Sequence, residues 1–116
     1  MPIRLLILAF LLLVPACAGR ASPPETSITL VRAENDTERT EFRYREDRAW
    51  DEVSLDDGPP RFTFTETGRT PGLITMTDPS RNGGLSLRFN LERMVVELSE
   101  GAGKPFYDRY RITAVE

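Results

Sequence analysis

Histidine is absent from this chain of 116 residues, and cysteine occurs once, at Cys17. Those two shortages exclude zinc sites of the Cys/His kind, Ser-His-Asp and Cys-His nucleophile pairs, and any disulfide within the chain. Lysine is nearly missing as well, Lys104 being the only one, so the basic side chains are almost all arginine. They form no basic stripe that could gather phosphates, and nucleic-acid binding is not expected. No apolar run approaches the ~20 residues that a membrane-spanning helix needs. No segment is both long and 3.6-periodic, so helix is not expected beyond a turn around "DRAWDE" at 47–52.

What is there begins with a run of ten apolar residues, Leu5 to Val14, preceded by Arg4 and followed by the small residues Ala16, Cys17, Ala18 and Gly19. A positive n-region, a short apolar h-region and small residues at the cut describe a cleavable secretory signal, which predicts residues 1–16 as a signal peptide outside the fold. The stretch Val14-Pro15-Ala16-Cys17 resembles the lipobox of bacterial lipoproteins. That resemblance implies cleavage before Cys17, a thioether-linked diacylglycerol on its sulfur and a further acyl chain on its new amino group. In that family an Asp after the cysteine favours the inner membrane; Ala18 stands there, so the resemblance implies the outer membrane. With each buried methylene worth about 0.8 kcal/mol, two or more acyl chains make an anchor stable. Ala16-Cys17-Ala18 is also an A-x-A site, and a cut there would release a soluble periplasmic or secreted protein starting at Gly19. Residues 17–26, small, polar and proline-containing, read as an extended tether reaching roughly 30 Å at ~3.3 Å per residue.

From residue 27 to 116 the pattern changes to short segments alternating with period two, the mark of half-buried strands. Phe42 and Tyr44 share one face of "TEFRYR"; Phe62 and Phe64 alternate with Thr63 and Thr65. Leu85, Leu87, Phe89 and Leu91 form one face, as do Met94, Val96 and Leu98, and Tyr110, Ile112 and Ala114. Turn residues separate these runs at "DDGPP" (56–60), "TGRTPG" (67–72), "DPSRNGG" (78–84) and "EGAGKP" (100–105), while "NLER" reads as a tight hairpin without glycine. The spacing predicts eight strands at 27–32, 40–46, 51–55, 61–66, 72–77, 84–91, 93–99 and 107–114. Eight short strands in one small domain indicate an all-β fold, an antiparallel barrel or sandwich.

So small an interior is expected to be filled by its own phenylalanines and leucines, with little room for a ligand and function on a rim or outer face. Arg69 and Arg81 in turns and Tyr107 opening the last strand are the candidate binding rim. As surface residues they are expected to change stability by no more than about 0.5 kcal/mol when replaced. Trp50, between charges, reads as a core indole or an exposed anchor. Glu52, Asp56, Asp57, Glu66 and Asp78 are the carboxylates a hydrolase would need, yet nothing in their spacing shows convergence. Asp78, Ser80 and Asn82 alternate as oxygen donors do in calcium loops, but no terminal glutamate follows, and a turn is the better reading. "PFYDRYR" groups Phe106, Tyr107 and Tyr110 with Arg109 and Arg111, the composition of a binding rim or of a closing strand.

The function expected is a lipid-anchored envelope module, without metal, cofactor or catalysis, that binds or inhibits an envelope protein or glycan. Small β lipoproteins that inhibit lysozyme are similar in architecture, but their Ser-Gly-x-x-Tyr loop is missing here and no residue role carries over. A structural subunit of an envelope assembly and a carboxylate-dependent hydrolase are the alternatives.

Overall fold

The computed structural model describes residues 27–58, 60–81 and 84–116. The signal peptide, the lipid attachment at Cys17 and the tether all lie outside the described residues, as do Asn82 and Gly83.

Eight strands follow one another: β1 (Leu30–Glu34), β2 (Arg39–Tyr44), β3 (Ala49–Ser54), β4 (Pro60–Thr70), β5 (Leu73–Asp78), β6 (Leu85–Asn90), β7 (Val95–Ser99) and β8 (Tyr107–Val115). Each pairs antiparallel with the next, and β8 returns to pair with β1, so the sheet closes as a barrel and not as a sandwich. Closure leaves no unpaired edge to recruit another strand. It needs curvature, and irregularities in four ladders supply it: between Arg32 and Ala33, Glu52 and Val53, Glu66 and Gly68, and Val96 and Glu97. The up-and-down order puts the β1–β2, β3–β4, β5–β6 and β7–β8 connections at one end, here the loop end. The connections 45–48, 71–72 and 91–94 lie at the other, the hairpin end, where the chain also enters β1.

Period-two alternation decides what the interior holds. Val31, Phe42, Trp50, Phe64, Ile74, Met76, Phe89 and Val96 are fully buried. Phe42 and Phe89 meet edge-on at 5.1 Å and Trp50 and Phe89 at 5.2 Å, the T-shaped contacts that the ring quadrupoles favour. Trp50 is therefore core.

Three local expectations are corrected. "DRAWDE" contains no helical turn: Asp47 and Arg48 both adopt positive φ (54° and 63°), and the Ala49 N–H donates to the Glu46 carbonyl at 3.1 Å. That is a type I′ hairpin turn, whose twist matches the flanking strands, built without the usual Asn-Gly. Met94 does not continue an inward row; it closes the 91–94 turn at φ 56° and is exposed. The turn expected over 67–72 shrinks to Pro71-Gly72, where Gly72 has φ 82° and an added Cβ would approach the Glu92 Cγ to 3.1 Å. Thr67 to Thr70 extend β4 instead, so Arg69 is a strand residue.

The arginines of the outer face are tied to carboxylates across neighbouring strands. The register sets Arg32 opposite Glu41 and Arg88 opposite Glu97, and the pairs close at 2.7 and 2.6 Å. Glu97 also faces Asp108, a like charge, across the β7–β8 ladder. Arg93, from the hairpin before β7, reaches both carboxylates, at 2.8 and 2.7 Å, and offsets that repulsion.

Candidate functional site

At the loop end the interior is not completely filled. A cavity of about 260 Å³ opens there, walled by Phe62, Phe64, Leu85, Leu87 and Leu98, with Glu52 and Tyr110 on one side and Arg61, Arg81 and Arg109 around it. This corrects the expectation of a barrel with little room for a ligand. Near this end Thr40 of β2, Glu52 of β3 and Tyr110 of β8 bring polar groups inward beside the apolar wall.

Glu52 is opposite Phe42 on one side and Phe62 on the other, so the pleat turns its carboxyl inward, and it is 5% exposed. Its Oε2 accepts hydrogen bonds from the Thr40 hydroxyl at 3.0 Å and the Tyr110 hydroxyl at 3.2 Å. Burial pushes the Glu52 carboxyl above its ordinary value, outweighing those two bonds and the nearby positive charge of Arg61. Burial, and then the Glu52 charge, likewise raise the Tyr110 phenol.

The folded protein thus holds the Glu52 proton more tightly than the unfolded chain. The stability this group contributes is complete below the ordinary glutamate value and is lost as pH rises through the raised one. Glu52→Gln keeps an oxygen acceptor for Thr40 and Tyr110 and removes the buried charge. We expect the variant to melt above the wild type at mildly alkaline pH, by about 4–8 °C for each 1 kcal/mol gained in a domain this size. The gap should narrow on acidification; a difference that ignores pH would mean that Glu52 is not the titrating group.

The three arginines are held in place by fixed partners. Glu38, before β2, bridges two of them: Oε1 accepts from Arg61, and Oε2 from Arg109 at 3.2 Å. Arg109 also lies over the Tyr110 ring at 4.9 Å. Arg81 donates through Nε to Asp78 at 2.8 Å, and its guanidinium stacks 3.5 Å from the Phe62 ring centre. Burial alone would raise the Asp78 carboxyl, but hydrogen bonds from Ser80 and Arg81 hold it below its ordinary value. Asp78 is thus the anchor of its own turn, accepting from the Ser80 amide at 3.0 Å and hydroxyl at 2.6 Å. Among the described residues no three His, Cys, Asp or Glu side chains converge as metal ligands would.

The rim residues read from the sequence are divided between the two ends of the barrel. Arg81 lines the cavity, and Tyr107 stands exposed at the same loop end, where its hydroxyl donates to Glu100 at 3.0 Å. Arg69 is at the hairpin end, half-buried, and its Nη2 and Nε donate to Glu66 at 2.8 and 3.1 Å. The Trp50 indole N–H donates to the same carboxylate at 2.9 Å. Burial would raise Glu66, yet Arg69 and Trp50 together hold it below its ordinary value. This trio ties the core indole to the hairpin end, where Arg69 and Glu66 line a separate shallow hollow.

Sequence reasoning missed Arg61 and Glu38 altogether, and it named Glu52 and Arg109 without bringing them together. One signal was available: in "AWDEVS" the row shared with buried Trp50 contains Glu52 and Ser54, polar residues at core positions. Which arginines meet Glu52 depends on β4 and β8, far away in the chain, and no local pattern carries that.

No protein-family model matches this chain, and no curated protein or solved structure matches it. Its function is therefore to be argued from the side chains at this open end.

Proposed function

We propose that this protein is a non-catalytic binding module of the bacterial cell envelope, anchored by lipid on Cys17 and capturing an envelope protein or glycan at the loop end of its barrel. The observation that carries the reading is the open cavity there, walled mostly by apolar side chains and ringed by Arg61, Arg81 and Arg109. Apolar walls with a few convergent polar groups are the usual form of a binding site, and arginine and tyrosine are enriched where proteins meet partners. The chain enters β1 at the opposite end, so a tether from Cys17 would join the barrel at the end away from the cavity. A purely structural accessory role offers no account of an unfilled, arginine-ringed opening.

The test is capture from solubilised envelope with the full mature protein. Arg81→Ala combined with Tyr107→Ala is expected to lose the captured component, whereas Arg45→Ala, in an exposed ion pair with Asp51 at the hairpin end, should retain it. Cys17→Ser should abolish labelling by radioactive palmitate and release the domain from the membrane fraction. Equal capture by all variants would remove the loop end from consideration, and a soluble wild type beginning at Gly19 would overturn the anchor.

A further inference from the structure

We propose that the cavity at the loop end is a site for a small carboxylic acid with an apolar body, the body lodged among Phe62, Phe64 and Leu87 and the carboxylate held by Arg61, Arg81 and Arg109. This rests on the loop end being the binding end, and it adds a ligand class to that reading.

Size sets the first limit. At about 260 Å³ the cavity lies just below the ~300–1,000 Å³ that drug-sized ligands occupy, so its occupant is a fragment of one ring or a short chain. The walls demand an apolar body, since Phe64, Leu85 and Leu87 are buried and offer no hydrogen bond.

Charge sets the second. A guanidinium carries five N–H donors. Arg61 and Arg109 each use one nitrogen on Glu38, and Arg81 uses its Nε on Asp78. The remaining donors of three cations therefore stand around one opening, whose wall also holds Glu52 and Tyr110. Glu38 shows how a carboxylate fits there: its two oxygens engage Arg61 and Arg109 separately, so one planar group spans both cations. A ligand carboxylate would join that network or displace Glu38 from it. Stacking on Phe62 fixes the Arg81 plane, so its unused edge is preorganised for a planar anion. Glu38 and Asp78 offset part of this positive charge and Glu52 lines the same wall, so the ligand carboxylate is placed on the arginine side of the opening, where unused N–H donors remain.

The experiment is fluorine NMR of 4-fluorophenylacetate titrated into the full mature protein in lipid nanodiscs, with empty nanodiscs as the blank. Protein-dependent line broadening is expected for the acid. 4-Fluorophenylacetamide, uncharged, should bind at least about tenfold more weakly, the scale of one lost charge-assisted hydrogen bond, and fluoroacetate, which keeps the charge but lacks the ring, should also bind at least about tenfold more weakly through the lost apolar burial. Arg61→Gln or Arg81→Gln should weaken the acid by a similar factor. Glu38→Gln, which removes the resident competitor, should tighten it. Melting curves taken alongside confirm that each variant is folded, and Arg45→Ala should leave binding unchanged. Equal binding of acid and amide, or no effect of either arginine substitution in a folded variant, would overturn the proposal. Loss of envelope capture in the Arg81/Tyr107 variant with no binding of the acid by the wild type would overturn this ligand class while leaving the binding-module reading in place.

Discussion

Trp50→Ala is expected to lower the unfolding free energy by about 3–5 kcal/mol, the range for removing a fully buried aromatic side chain. Two losses combine. The indole packs edge-on against Phe89 and Tyr44 inside the barrel toward its hairpin end, and a small domain has few other groups able to close over the space. Its Nε1 also donates to Glu66, so truncation removes one of the bonds that keep a half-buried carboxylate ionised. Against the ~5–15 kcal/mol that folded domains typically possess, this is a large share. Urea unfolding of the two proteins measures it, with the midpoint falling and the slope unchanged if the folded states are alike. Trp50→Phe separates the terms: it keeps an aromatic ring and loses the hydrogen bond, and should cost no more than about 1–3 kcal/mol. A Trp50→Ala protein as stable as the wild type would contradict the packing described.

Arg69→Ala has the second-largest expected effect, about 1–3 kcal/mol, the figure for stranding a polar group discounted for partial exposure. Without Arg69, Glu66 keeps only the Trp50 indole as a donor and must be held ionised inside the hairpin end, or take up a proton. Because the fold lowers the Glu66 carboxyl, its contribution to stability is present above the ordinary glutamate value and is lost as pH falls through the lowered one. The wild-type advantage over the variant should therefore be greatest near neutral pH and shrink in acid. Glu66→Gln in the Arg69→Ala background should recover part of the loss, and a double-mutant cycle reports the coupling. Strict additivity of the two substitutions would show that the pair does not act as a unit. The outcome also bears on how this residue is viewed, since a rim position free to vary would change stability by no more than about 0.5 kcal/mol.

The strands were legible in the sequence because burial on one face of a sheet imposes a period of two, and "LSLRFNL" and "RFTFTE" carry it openly. Turn chemistry located most of the connections for a similar local reason, since glycine and proline act on the backbone where they stand. It failed where other residues take the same conformations. Asp47, Arg48 and Met94 adopt positive φ without being glycine, held by the pairing of the flanking strands and by the next strands over, whose Glu66 and Ile112 amides donate to the Arg48 and Met94 carbonyls at 2.7 and 2.8 Å.

The amino-acid sequence by itself determined the all-β class, the eight strands, most of the inward-facing residues and the chemistry excluded by lacking histidine and a second cysteine. Tertiary structure alone decided that the sheet closes, because closure depends on β8 meeting β1, from opposite ends of the domain. It also decided which side chains share an end. Arg69 and Arg81 are close in the chain yet sit at opposite ends of the barrel, because β5 runs between them along its length. Glu38, Arg61 and Arg109 are scattered in sequence and meet at one carboxylate, because strand order and shear bring β2, β4 and β8 around the same opening. Alternation says which face a residue occupies; only the closed register says which other residues face it.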